Sequence, residues 1–314
     1  MPIATRRNLT NRWVIPGIDI YDPSLVLYAP LWRPDMVARG GSIVNGTGTM
    51  DVSPQNLAVG ANTITVTAAG TLIVRLPEGG TVASGTMTVT GSPVTVSAGI
   101  ATTITTTGAI GNITVTPSNI IRSKDRNNHA LTVTGATWGT QGRTFDNIDD
   151  FINCGASTAF DLTTQLTIIV ACKTTGAGVL VSKWAVATPQ RSWGFTASGA
   201  IPQLYLSDDG TGNESQSANT VLSGTGSQII GVSYSTSDNI AHFYRNGITD
   251  GNKTFIAETG SIFVGTANVY VGDEQGGAIG GFFGGDMGDV KVFNRSLSAL
   301  EHQNNYLATK GRYQ

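Results

Sequence analysis

Three histidines (His129, His242 and His302), two cysteines (Cys154 and Cys172) and five scattered glutamates are the residues with which this chain could do chemistry. A serine hydrolase needs a His beside an activated Ser, usually on a G-x-S-x-G elbow, and the sequence has no such elbow. Zinc sites repeat Cys and His at short fixed spacings, and none occurs. Glycoside hydrolysis asks for two cooperating carboxylates. Glu78, Glu214, Glu258, Glu274 and Glu301 are far apart, and no E-x-D-x-x-E strand gathers them. The expected catalytic set is therefore empty, and the histidines read as structural.

Acidic loops leave one metal open. Ca²⁺ prefers several hard oxygen ligands. Asp208 and Asp209, with Asn213 and Glu214, form one candidate loop, and Asp273 with Glu274 forms another. Asp146, Asp149 and Asp150 form a third group, read first as turn formers. No cofactor is required, and Ca²⁺ is the one these loops could hold. Sugar recognition would stack a ring on an aromatic face beside polar groups. Trp193, Tyr205, Phe282 and Phe283 are the candidates, against a core-filling role for the same side chains.

The elements that must position these residues are strands. Only 13% of the 314 residues are charged and 40 are glycine, so strong helix formers are few. The net charge is −2, and the one basic cluster is Arg6, Arg7 and Arg12. Duplex nucleic acid would need a larger basic patch, so it is not an expected partner. No apolar run reaches 18 residues, so membrane insertion is not expected either. The first ten residues lack a signal-peptide core, which predicts synthesis in a cytoplasm. Residues 1–23 read as an arm whose Trp13, Ile15 and Ile18 would pack on a neighbour.

Residues 37–120 have a different texture. Runs such as Thr63–Thr67, Thr71–Arg75, Thr86–Thr90, Val94–Val96, Thr103–Thr105 and Asn112–Thr116 alternate Thr with Ile or Val between Gly or Pro. That period of two predicts half-buried antiparallel strands in a small sandwich. Outside this block, Leu166–Cys172, Ile229–Tyr234 and Ala241–Arg245 read as strands, and Ser298-Ala299-Leu300-Glu301 as a capping box opening a terminal helix.

The run Gly281-Phe282-Phe283-Gly284-Gly285-Asp286-Met287-Gly288-Asp289-Val290-Lys291-Val292-Phe293-Asn294-Arg295-Ser296-Leu297-Ser298 resembles the closing strand of laminin-G-like, concanavalin A-like jelly rolls. Leu27 to Trp32, Ser123-Lys124-Asp125, Ala130 to Trp138 and Gly142 to Ile152 resemble that family's opening, with Asn147 in place of Gly and Phe151 in place of Tyr. Val179 to Trp184 resembles its L-x-S-K-W strand, and Tyr244 to Gly247 its Y-x-N-G turn. The resemblance implies an all-β fold: a jelly roll of residues 24–36 and 121–314, with a second small β-sandwich, 37–120, inserted near its N-terminus.

Phage particles carry domains of this kind. The resemblance thus implies a non-enzymatic virion structural protein (capsid decoration, head fibre or tail component), made in the host cytoplasm. Its expected partners are itself, as a homo-oligomer with a trimer as the guess, other virion proteins, and cell-surface glycan. A lectin-like carbohydrate-binding protein assisted by Ca²⁺ is the alternative, and a glycoside hydrolase comes third.

Overall fold

The computed structural model describes residues 19–33, 36, 42–48, 55–57, 62–66, 70–75, 81–84, 88–90, 101–107, 111–116, 119–174, 176–186, 190–275 and 279–313. The chain divides into two compact units. One comprises Met1–Pro34 and Arg122–Gln314, the other Asp35–Ile121. The candidate arm residues Arg6, Arg7, Arg12, Trp13, Ile15 and Ile18 lie outside the described residues.

The larger unit is a jelly-roll sandwich of two eight-stranded antiparallel sheets. The first runs Thr137–Gly139, Gly142–Asp146, Gly284–Phe293, Gln165–Thr174, Gln228–Ser235, Ile240–Arg245, Ile248–Thr254. Leu25–Pro30 also pairs with Gly284–Phe293, from Leu25↔Phe293 to Pro30↔Asp289. The second runs Ile120–Arg122, Ala130–Thr134, Phe151–Gly155, Val269–Val271, Gly178–Ala185, Gln190–Ser198, Ile201–Leu206, Glu214–Ser217.

Side chains alternate across a strand, so a half-exposed sheet shows every second residue to water. The central strands here do not. Leu25–Pro30, Gly178–Ala185 and Gln228–Ser235 are buried at every residue. In the first sheet, Ile168, Val170, Ile230, Val232, Val290 and Val292 fill one face. Tyr28, Ile169, Ala171, Ile229 and Phe293 fill the opposite face, covered by Leu297 and Tyr313 of the C-terminal segment and by Ile20, Trp32 and Tyr306.

The cover is the helix Ala299–Tyr313. Its first turn is the predicted capping box: Glu301 Oε2 accepts the Ser298 N–H at 2.8 Å, and Ser298 Oγ accepts the Glu301 N–H at 3.4 Å. Arg295 ties this end to the chain's beginning through Glu301 at 2.7 Å and Asp22 at 3.2 Å. At the far end, buried Asp289 accepts from Trp32 Nε1 at 2.9 Å and Arg312 Nη1 at 3.2 Å. Arg312 also stacks on Trp32, 3.6 Å from the ring centroid.

The second unit has a five-stranded antiparallel sheet, Gln55–Asn56, Ser42–Gly48, Gly70–Arg75, Ala101–Thr107, Thr88–Thr90. A three-stranded sheet follows, Asn62–Val66, Gly111–Thr116, Thr81–Ser84. Ile64, Val74, Ile113 and Val115 are buried, the apolar members of the alternation. The run at Val94–Val96 lies outside the described residues. No described helix is long and apolar enough to cross a membrane.

Candidate functional site

The aromatic candidates separate by strand face. In Gln190–Ser198, Trp193, Phe195 and Ala197 point one way and are sealed; Trp193 is 0% exposed. Its indole N–H donates to the Phe160 carbonyl at 3.4 Å. Trp193 is thus a core residue and no stacking platform, because its place in the alternation turns it inward. Phe283 is corrected likewise: it is fully buried, edge-on to Phe145 at 5.9 Å between centroids. Phe282 and Tyr205 are half-buried. Tyr205 packs edge-on against buried Trp184 at 6.2 Å, and its hydroxyl donates to Gln203 Oε1 at 3.2 Å.

Trp184, Val179 and Ile279 form a satellite cluster on this second sheet. Ile279 lies directly over Gly194; a Cβ there would come 2.3 Å from Ile279 Cδ1. Glu274 is buried, and one of its oxygens accepts the Ile279 N–H at 2.6 Å. Glu274 therefore holds the covering segment, and neither it nor its half-buried neighbour Asp273 belongs to a group of three acidic ligands among the described residues. Burial raises the Asp273 carboxyl above its usual range.

The acidic loop 208–214 is split by the fold. Asp208 and Asp209 approach Glu258, with one oxygen of each residue within 4.8 Å of the others. Sequence reasoning missed Glu258, which is distant in the chain and carries no motif. Glu214 leaves the group: its carboxylate accepts the N–H groups of Ile256, Ala257 and Glu258 at 2.9, 2.7 and 3.2 Å. Asp208 Oδ2 accepts the Gly260 N–H at 2.9 Å, and Glu258 Oε2 the Asp208 N–H at 2.8 Å. Asp209 accepts from the Thr211 hydroxyl and N–H and from the Gly212 N–H, which hold its carboxyl down at about 2. These carboxylates staple loop to loop.

Asp146, Asp149 and Asp150 also converge within 4.8 Å. Asp146 Oδ1 accepts the Ile148 N–H at 2.8 Å, and Asp150 Oδ2 the Asp146 N–H at 2.9 Å. This is a closed Asx-type turn. Burial, ahead of the neighbouring charges, raises the Asp150 carboxyl.

Among the described residues, one serine hydroxyl is hydrogen-bonded to a histidine ring. Ser233 Oγ lies 2.8 Å from His302 Nε2, and Thr167 Oγ1 2.9 Å from Ser233 Oγ. The His302 ring stacks on Tyr244 at 3.8 Å between centroids. All three polar residues are buried beneath the terminal helix, and burial drives the imidazole down to about 3, so it stays neutral. A substrate has no access, and the pair fastens the helix. His129 is likewise buried, its Nε2 2.9 Å from the Val26 carbonyl. Cys154 and Cys172 are unbonded and buried, with thiols pushed up by desolvation, Cys172 to about 12.

Comparison with known proteins speaks to the fold. The pentraxin "native heptameric SAP-like pentraxin from Limulus polyphemus" is 20% identical, over 46% of this chain and 72% of that one, with a TM-score of 0.36. The Ruminococcus gnavus IT-sialidase CBM40 bound to alpha2,3 sialyllactose is 19% identical, over 55% and 96%, at 0.41. The botulinum neurotoxin serotype G binding domain is 13% identical, over 60% and 48%, at 0.48; the match spans about half of that domain. No curated protein matches the sequence. The model of the concanavalin A-like lectin/glucanases superfamily matches residues 145–301, half of the 314-residue chain. That span runs from Phe145 through both sheets to the capping Glu301, and the chain belongs to this superfamily.

Proposed function

We propose that this chain is a non-enzymatic structural protein on the surface of a bacteriophage-type particle, assembled as a homo-oligomer, with glycan capture through its loops as an added capacity. The observation that supports a non-enzymatic reading is the engagement of its acids. In the two acidic clusters among the described residues, Asp146, Asp150, Asp208, Asp209 and Glu258 each accept a backbone N–H already. A glycosidase needs one carboxyl to deliver a proton and a second facing the sugar, and carboxylates fastened to their own loops suit neither task. The central strands, buried on both sides, leave loops and sheet edges as the working surface. The particle setting rests on the sequence resemblance and on the low-charge, glycine-rich composition.

Light scattering on the full chain and on a form lacking residues 1–18 tests this reading. The cut leaves Asp22 and Ser24, which hold Arg295. The expected result is an oligomer that falls to monomer without the arm. A full-length monomer would remove the assembly reading, and a glycan array would then test the lectin alternative.

A further inference from the structure

Beneath the terminal helix lies a lysine that the fold seals from water. Lys291, in the closing strand Gly284–Phe293, is 1% exposed. It pairs with Tyr28 in the strand register, and its Nζ is 5.5 Å from the centre of that ring. Its one hydrogen bond among the described residues runs from Nζ to Asn305 Oδ1 at 3.2 Å. Asn305 belongs to the helix Ala299–Tyr313 and is 7% exposed. Its Nδ2 donates to the Glu301 carbonyl at 3.0 Å, which fixes the amide with Oδ1 on the amine. The Tyr28 hydroxyl donates to buried Asp289 at 3.3 Å, so a carboxylate borders the same ring.

An ammonium has three protons to place, and a single neutral acceptor serves this one. Burial, ahead of the opposing Asp289 charge, lowers the Lys291 amine below its ordinary range. A neutral amine is a nucleophile. The carbon it would attack, Asn305 Cγ, is one bond from the oxygen it touches. Fixed contact in a dry site removes much of the entropy and solvent cost of such an attack. We propose that Lys291 and Asn305 join in an isopeptide bond that locks the terminal helix to the closing strand. The Nζ–Cγ bond forms and the Cγ–Nδ2 bond breaks. One amine proton passes to Nδ2 by way of the Asp289 carboxylate, and Nδ2 leaves as ammonia. The balance needs no oxidant, metal or second protein. The proposal goes beyond the particle-surface reading and does not depend on it.

Mass spectrometry of the denatured full chain, with Lys291→Met and Asn305→Ala beside it, tests this. The expected native chain is lighter than its sequence by one ammonia, and each variant has its full sequence mass. A tryptic map should hold Lys291 and Asn305 in one branched peptide, with no cleavage after Lys291. A native chain of full mass would overturn the proposal. So would an ammonia deficit that persists in Lys291→Met, or one that maps to a succinimide at an Asn–Gly step. The native map decides even if a variant fails to fold.

Discussion

His302 shows how a residue with catalytic chemistry becomes a fastener. Its ring lies between Tyr244 and the Gly231 backbone, with Ser233 at Nε2. Burial keeps it neutral down to about pH 3, whereas in the unfolded chain it protonates near 6.5. The unfolded state therefore binds more protons between those values, and stability falls as pH falls through that window. The full effect is on the order of 5 kcal/mol. Glu301, held at about 2 chiefly by Arg295, adds a loss only below about pH 4.5. Urea midpoints measured from pH 7 to pH 4.5 should thus decline in the native protein. In His302→Gln, which keeps a hydrogen-bonding group without the titration, they should stay nearly flat. A slope unchanged by that substitution would place the proton uptake elsewhere. The histidine's structural role was legible in the absence of an elbow or a zinc spacing, but its partners were not, because Thr167, Ser233 and His302 meet only through sheet pairing and helix docking.

At the scale of elements, the terminal helix was legible in its start and hidden in its seat. Ser298 and Glu301 announce the cap. The residues it buries are His302, Asn305, Thr309 and Tyr313, a polar set at helical spacing that gives no apolar stripe to read. The opposite strands were easier: Gln165–Thr174 and Gln228–Ser235 are long β-branched runs, as doubly covered strands must be. Trp193 misled because an aromatic in a strand carries no label for its face. The helix fits because residue 231 lacks a side chain. A Cβ there would sit 2.7 Å from His302 Cε1. Gly231→Ala should therefore lift the helix, at a cost of about 1–3 kcal/mol. Hydrogen–deuterium exchange should quicken across Ala299–Tyr313 while Gly178–Ala185 stays protected. Unchanged exchange in the helix would mean that the ring yields instead.

For the whole molecule, the second unit's residues, Asp35–Ile121, interrupt the first unit in sequence, yet each has its own sheets. The sequence changes texture near residue 37: Thr/Val alternation in strands such as Asn62–Val66 and Gly111–Thr116 differs from the continuous apolar runs outside this block. Replacing 37–119, which spares the strand Ile120–Arg122, by a flexible linker of about six Gly/Ser residues should leave a jelly roll with one cooperative thermal transition. A broad, non-cooperative melt would mean that the larger unit depends on the smaller.

The pairing of Leu25–Pro30 with Gly284–Phe293 also sets a timetable. Tyr28 and its hydroxyl's acceptor Asp289 are 261 residues apart. On the ribosome the strand Leu25–Pro30 waits, unpartnered, until the strand Gly284–Phe293 emerges, and no nascent chain truncated before that strand can hold it. The strands of 42–116 have all their partners within that span and are complete early. Residues 284–313 bring the closing strand, the helix and its polar pins, so the larger unit is complete only after they emerge.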